Sequence, residues 1–249
     1  MCTLALAFHA DRRWPLVVAA NRDERLARPS EDWALRTPQG APRNAAPRDV
    51  VAGGTWIGVG AAGLFAGITN FHASPGHPPD PTRRSRGEIV ARVLGQPSAA
   101  AARELCARTE AALHNPFHLL VADAATAFLW WYDGDGSALE DLGPGLHVAT
   151  ERSPHGRDPR GESLRARWPV DPSPPRLREL LASHELPPGP GVCIHHGDLY
   201  GTRSSAIVRL APALHHSELY AADGAPCVTP FEDRSDLLVA LSRPAGSRA

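Results

Sequence analysis

Residues 50–71 form a run of 22 residues without a charged side chain. A helix that spans a lipid bilayer needs about 20 mainly apolar residues. Six of the 22 are glycine (Gly53, Gly54, Gly58, Gly60, Gly63 and Gly67), and Thr55, Thr69 and Asn70 add polar groups. Glycine at this density disfavours a helix, because each one costs backbone entropy and packs nothing. The run reads instead as a buried hairpin, with strands over 55–59 and 64–71 and a turn at 60–63. No membrane span is expected.

The rest of the chain falls into batches of strands and helices rather than strict alternation. Strands are expected over 3–9 and 14–20, turned at Asp11-Arg12, and over 117–122, 126–132 and 146–149. Later ones are expected over 192–195, 204–210 and 216–221. Helices are expected over 85–94, opened by a Ser85…Glu88 capping box, and over 98–114, 161–167 and 175–184. A surface loop with four prolines is expected over 74–81. Batched elements argue for an α+β fold with antiparallel sheets. The 249 residues read as a single domain, residues 1–249, with a frayed tail after Leu241.

Composition removes several function classes. A net charge of −1 lacks the electrostatic footprint of a nucleic-acid binder. All 26 basic residues are arginine, which excludes a Schiff-base lysine and a lysine-bearing phosphate loop. Four scattered cysteines make no disulfide framework, and the N-terminus lacks the basic region of a signal peptide, so a cytoplasmic location is expected. Gly58-Val59-Gly60-Ala61-Ala62-Gly63 spells a dinucleotide fingerprint, but no helix or acidic strand end follows it. Asp133-Gly134-Asp135 starts like a calcium loop and reads as a hairpin turn. Cys193, His195 and His196 are metal-ligand types, as are His215 and His216. Adjacent histidines point to opposite sides of a strand, so no metal site and no cofactor is expected.

Cys2 carries the chemistry. Once Met1 is removed, one residue holds a thiol with a pKa of about 8.5 and an α-amine of about 7.7–8.0. That joins a nucleophile to its own base. With the first turn centred on Asp11-Arg12, Cys2 faces Asn21, and the cluster Asn21-Arg22-Asp23-Glu24 emerges beside it. Asp23 is expected to hold the amine, and the positive charge of Arg22 to favour thiolate. Asn70 ends the face of Leu64, Ala66 and Ile68, where its amide can serve an oxyanion. Trp56 and Phe71 are expected to wall the site.

Met1-Cys2-Thr3-Leu4, Ala20-Asn21-Arg22-Asp23-Glu24, Gly53-Gly54-Thr55-Trp56, Thr69-Asn70-Phe71, Arg86-Gly87-Glu88 and Tyr200-Gly201-Thr202-Arg203-Ser204-Ser205 together resemble the transport-and-Golgi-organisation "NRDE" family. That family is similar to N-terminal nucleophile hydrolases of the penicillin V acylase and bile-salt hydrolase type. The resemblance implies a four-layer αββα sandwich, with Cys2 as nucleophile, Asp23 near its amine, Asn70 in the oxyanion hole and Arg203 closing the site. Ala20 stands where the acylases place an arginine, and Thr150-Glu151-Arg152 where the NRDE family often has Ser-Asn. The expected function is hydrolysis of a linear, non-peptide amide or acyl substrate. The alternative implied by the family is a non-catalytic haem or lipid carrier.

Overall fold

The computed structural model describes residues 2–9, 11–71, 78–186 and 189–243. Met1, residues 74–77 of the expected proline loop and the tail beyond 243 lie outside the described residues. The first half of the chain contains β1 (Cys2–Phe8), β2 (Leu16–Arg25), β3 (Ser30–Arg36), β4 (Asn44–Asp49), β5 (Ile57–Gly60), β6 (Phe65–Asn70), α1 (Gly87–Leu94), α2 (Ala99–Ala107) and β7 (Phe117–Ala122). There follow β8 (Ala127–Tyr132), β9 (Ser137–Asp141), β10 (Gly145–Thr150), α3 (Pro159–Arg167), α4 (Pro174–Leu181), β11 (Glu185–Leu186) and β12 (Gly189–Pro190). The chain continues with β13 (His195–His196), β14 (Tyr200–Leu210), β15 (Glu218–Ala222), β16 (Glu232–Asp233) and α5 (Ser235–Leu241).

One antiparallel sheet runs β10-β1-β2-β14-β15-β16, with β13 added beside β14, and the other is a meander from β3 to β9. Period-two patterning stacks them. Leu4, Leu6 and Phe8 of β1 meet Ile57, Phe65 and Leu129 in a core between the sheets. The alternate residues Ala5 and Ala7 lie beneath Leu164 of α3 and Leu177 of α4. On the far sheet, Leu119 and Val121 face Val90 and Val93 of α1. The result is four layers, helices outside and two sheets inside.

The uncharged run is the β5–β6 hairpin, and no helix among the described residues is long and apolar enough to cross a membrane. Of its fingerprint glycines, Gly58 and Gly60 serve packing and Gly63 takes the positive φ of the turn. A Cβ on Gly60 would lie 2.3 Å from the carbonyl oxygen of Leu94, so only glycine lets the end of α1 rest on the hairpin. Gly60→Ala should lower the unfolding free energy by about 1–3 kcal/mol in a denaturant titration, since backbone cannot yield as a side chain can. An unchanged midpoint would show that α1 is free to slide.

Several expectations need correction. β1 and β2 pair Cys2 with Arg22 and Thr3 with Asn21, one residue away from the expected register. The connection is a longer loop closed by His9 N–H donating to the Pro15 carbonyl at 2.8 Å, not a tight turn at Asp11-Arg12. The capping box does not form: Ser85 Oγ accepts from Gly87 N–H, and Glu88 pairs with Arg84 at 2.7 Å instead. The long second helix ends at Ala107, after which Ala111–Leu113 make a separate 3₁₀ turn. Strand β3 goes unread because its sequence, Ser-Glu-Asp-Trp-Ala-Leu-Arg, buries only Trp33 and so shows no alternation.

Candidate active site

Where the two sheets open beside the start of α1, a cavity of about 520 Å³ is lined by Cys2, Arg22, Asp23, Trp56, Asn70 and Arg86, among others. Each reaches it through a different local device.

Cys2 is the first residue of β1 and shares a face with Arg22, its cross-strand partner. Burial raises the Cys2 thiol above its ordinary value; the charge of Asp23 adds to this, and Arg22 opposes it without reversing it. Arg22 thus favours thiolate, as expected, but burial outweighs it. The Cys2 Sγ lies 3.8 Å from the Asp23 carbonyl oxygen, a weak contact for an S–H donor. Such a thiol needs a base before it can attack.

Arg22 stands two residues beyond Ala20 on the same face of β2 and lines the cavity. Its guanidinium lies 4.1 Å over the Trp56 ring and 3.7 Å from the Asp49 carboxylate. Only 6% of Arg22 is exposed, yet its Nη1 has no hydrogen-bond partner among the described residues. A buried donor left unpaired is costly, and an anionic or carbonyl group entering the cavity would satisfy it.

Asp23 lies on the opposite face of β2, where Thr202 Oγ1 donates to its Oδ1 at 2.6 Å. A bulge in β14 between Thr202 and Ser204 sets Thr202 there. Burial pushes the Asp23 carboxyl up to about 7, against the Thr202 hydrogen bond and the charge of Arg160. Glu151, buried and paired with Arg160 at 3.1 Å, pushes the same way as burial. The residues that replace Ser-Asn are thus engaged: Glu151 in this charge cluster, and Thr150 by donating to Asp158 at 2.6 Å.

Arg86 is one of the cavity residues absent from the expected site, although its Arg-Gly-Glu motif is visible in the sequence. A Cβ on Gly54 would sit 2.5 Å from the backbone carbon of Gly87, so the Gly53–Thr55 loop and the start of α1 meet backbone to backbone. That contact places Arg86 at the cavity, where it donates to the Pro116 carbonyl at 3.0 Å. Burial lowers Arg86 to about 10.

Cys2, Arg22, Asp23, Trp56 and Asn70 are brought together, whereas Asn21, Phe71 and Arg203 are not. Asn21 points to the helical side and donates to the Leu181 and Val192 carbonyls, each at 2.9 Å, while accepting from Ser205 at 2.7 Å. It braces β2 against the end of α4. Phe71 packs on His118, ring centroids 4.4 Å apart, away from the cavity lining. Arg203 occupies the β14 bulge and pairs with Asp223 at 2.5 Å.

The chain resembles known proteins at two levels. The model of the transport and Golgi organisation 2 family matches residues 1–169. The transport and Golgi organization 2 homolog of Mus musculus is 30% identical over 134 residues, 51% of this chain and 47% of that protein, so the match spans about half of the curated relative. Among solved structures, the N-acylethanolamine-hydrolyzing acid amidase ortholog of Caenorhabditis elegans superposes with a TM-score of 0.58 at 12% identity, covering 85% of this chain and 93% of that one. A mutant conjugated bile acid hydrolase from Clostridium perfringens gives 0.51 at 12% identity, covering 95% and 93%. At such identities the likeness is one of fold, that of the N-terminal nucleophile hydrolases expected above. With its family model matched over most of its length, this chain belongs to the transport and Golgi organisation 2 family.

Proposed function

We propose that the protein is an amidohydrolase in which Cys2, freed of Met1, attacks the carbonyl of a linear, non-peptide amide. The observation that carries this reading is the meeting of Cys2, Asp23 and Asn70 on one cavity. The α-amine of Cys2 takes the thiol proton as sulfur bonds to the carbonyl carbon. The Asn70 side-chain amide donates to the oxyanion that develops. The α-ammonium then returns the proton to the leaving amine as the C–N bond breaks, leaving a thioester on Cys2. Water, deprotonated by the same amine, attacks the thioester and releases the acid and the thiol. Asp23 orients the amine. Arg22 Nη1, unpaired among the described residues, and the Arg86 guanidinium at the cavity favour a substrate that carries a carboxylate or similar anion near the scissile bond. The same cationic donors would suit a carboxylate-bearing ligand such as haem or a fatty acid, held without turnover.

The test begins with the intact mass of protein made in its native host, which should show Met1 removed. Linear N-acyl amides with and without a carboxylate are then offered, and the acyl adduct is mapped by peptide mass. An adduct on Cys2, formed faster with the carboxylated amides, is the expected result. Full retention of Met1 would overturn this mechanism. Saturable binding of hemin or a fatty acid, with no adduct and no hydrolysis, would favour the carrier.

A further inference from the structure

His184, Cys193, His195 and Cys227 come from three separate stretches of chain, yet one ligand atom from each lies within 4.8 Å of all the others. Cys193 and His195 are two apart along an extended segment, so their side chains fall on the same side. Cys193 N–H donates to the Ser183 carbonyl at 2.9 Å, which draws His184 alongside. Cys227 arrives from the loop after β15. The sequence analysis set Cys193, His195 and His196 together as metal-ligand types and expected no metal site; His196 is not one of the four. Besides Cys193, two residues before it, the partners of His195 lie 11 residues before it and 32 after it.

We propose that these four side chains bind one Zn²⁺ ion in a closed tetrahedral site. Zinc bonds of about 2.3 Å to sulfur and 2.0–2.1 Å to nitrogen put neighbouring ligand atoms roughly 3.3–3.8 Å apart. His195 Nε2 lies 3.7 Å from Cys193 Sγ and 3.3 Å from Cys227 Sγ. Two thiolates and two imidazoles suit zinc and reject the oxygen-seeking calcium and magnesium ions. The two thiol protons leave to solvent as the metal enters. His184 Nδ1 lies 3.3 Å from the Cys193 carbonyl, and donation there would leave Nε2 as the nitrogen with a free lone pair.

Four protein ligands leave no open position, so the site is structural. Ile194, between two of the ligands, donates its N–H to Thr202 Oγ1 at 2.9 Å and accepts from Thr202 N–H at 2.8 Å. Thr202 in turn donates to Asp23. The metal therefore clamps the segment that sets Asp23 in place. All four ligands lie beyond residue 169, where the match to the family model ends.

The test uses the full chain, tag removed, purified under reducing conditions without chelator. Elemental analysis should find one zinc per chain, lost in the Cys193→Ser/Cys227→Ser double variant and kept in His196→Ala. Replacing zinc by cobalt in the unaltered protein should give the strong visible bands of a four-coordinate ion together with thiolate charge-transfer absorption. This spectrum decides the matter even if the double variant fails to fold. The proposal is overturned if the folded, reduced chain neither carries nor takes up zinc. It is also overturned if the double variant keeps the metal, or if thiol trapping finds Cys193 and Cys227 joined as a disulfide.

Discussion

Cys2→Ala should abolish acyl-adduct formation and reduce amide hydrolysis by about 10⁴-fold or more, the scale seen when a covalent nucleophile is removed. The α-amine remains in this variant, as do Asp23 and the cavity, so only the bond-forming atom is lost. Little stability should go with it, because Cys2 begins its strand and its thiol's hydrogen bond to the Asp23 carbonyl is weak. Cys2→Ser separates nucleophile from base: the amine is again intact, but the hydroxyl gives up its proton far less readily than the thiol. It should react slowly and still form an ester adduct. Single-turnover kinetics followed by intact mass measure both. Hydrolysis by Cys2→Ala at a rate near that of the unaltered protein would show that the chemistry lies elsewhere.

Asn70→Ala should slow the acylation step by about 10²–10³-fold, the usual cost of removing one oxyanion-hole donor. The loss should fall on kcat with KM little changed, because the amide matters most when negative charge gathers on the carbonyl oxygen. Asn70 ends β6 at the cavity, so truncation there removes a donor without opening the apolar core. Arg203→Ala serves as the comparison, since Arg203 pairs with Asp223 away from the cavity, and it should leave both constants unchanged. Equal losses from the two substitutions would point to general destabilisation and remove Asn70 from the oxyanion hole.

Much of this was legible in the residues, because it rests on short-range patterns. The uncharged run could be read as a hairpin from its glycines, and the paired strands Phe117–Ala122 and Ala127–Tyr132 from their apolar side chains. The proposed role of Cys2 follows from its position, since a residue behind a removed methionine carries a free α-amine beside its own side chain. Asn70 followed from period-two spacing. Strands such as β3 did not follow, because an outer strand with one buried side chain carries no periodic signal.

What only the tertiary structure decided concerns register and the meeting of distant segments. One residue of difference in the first loop moved Asn21 from the face of Cys2 to the helical side, where it became a brace. The bulge in β14 turned Arg203 away from the cavity and set Thr202 on Asp23 instead. Arg86 reached the cavity through a backbone contact between two glycines 33 residues apart, and the four metal-ligand side chains gathered from positions 184 to 227. The physical reason is the same in each case. Local sequence sets which way a side chain points along its own strand or helix, while a site needs side chains from several elements within a few ångströms. That convergence depends on loop lengths, bulges and close backbone approaches, which no repeating pattern in the chain encodes.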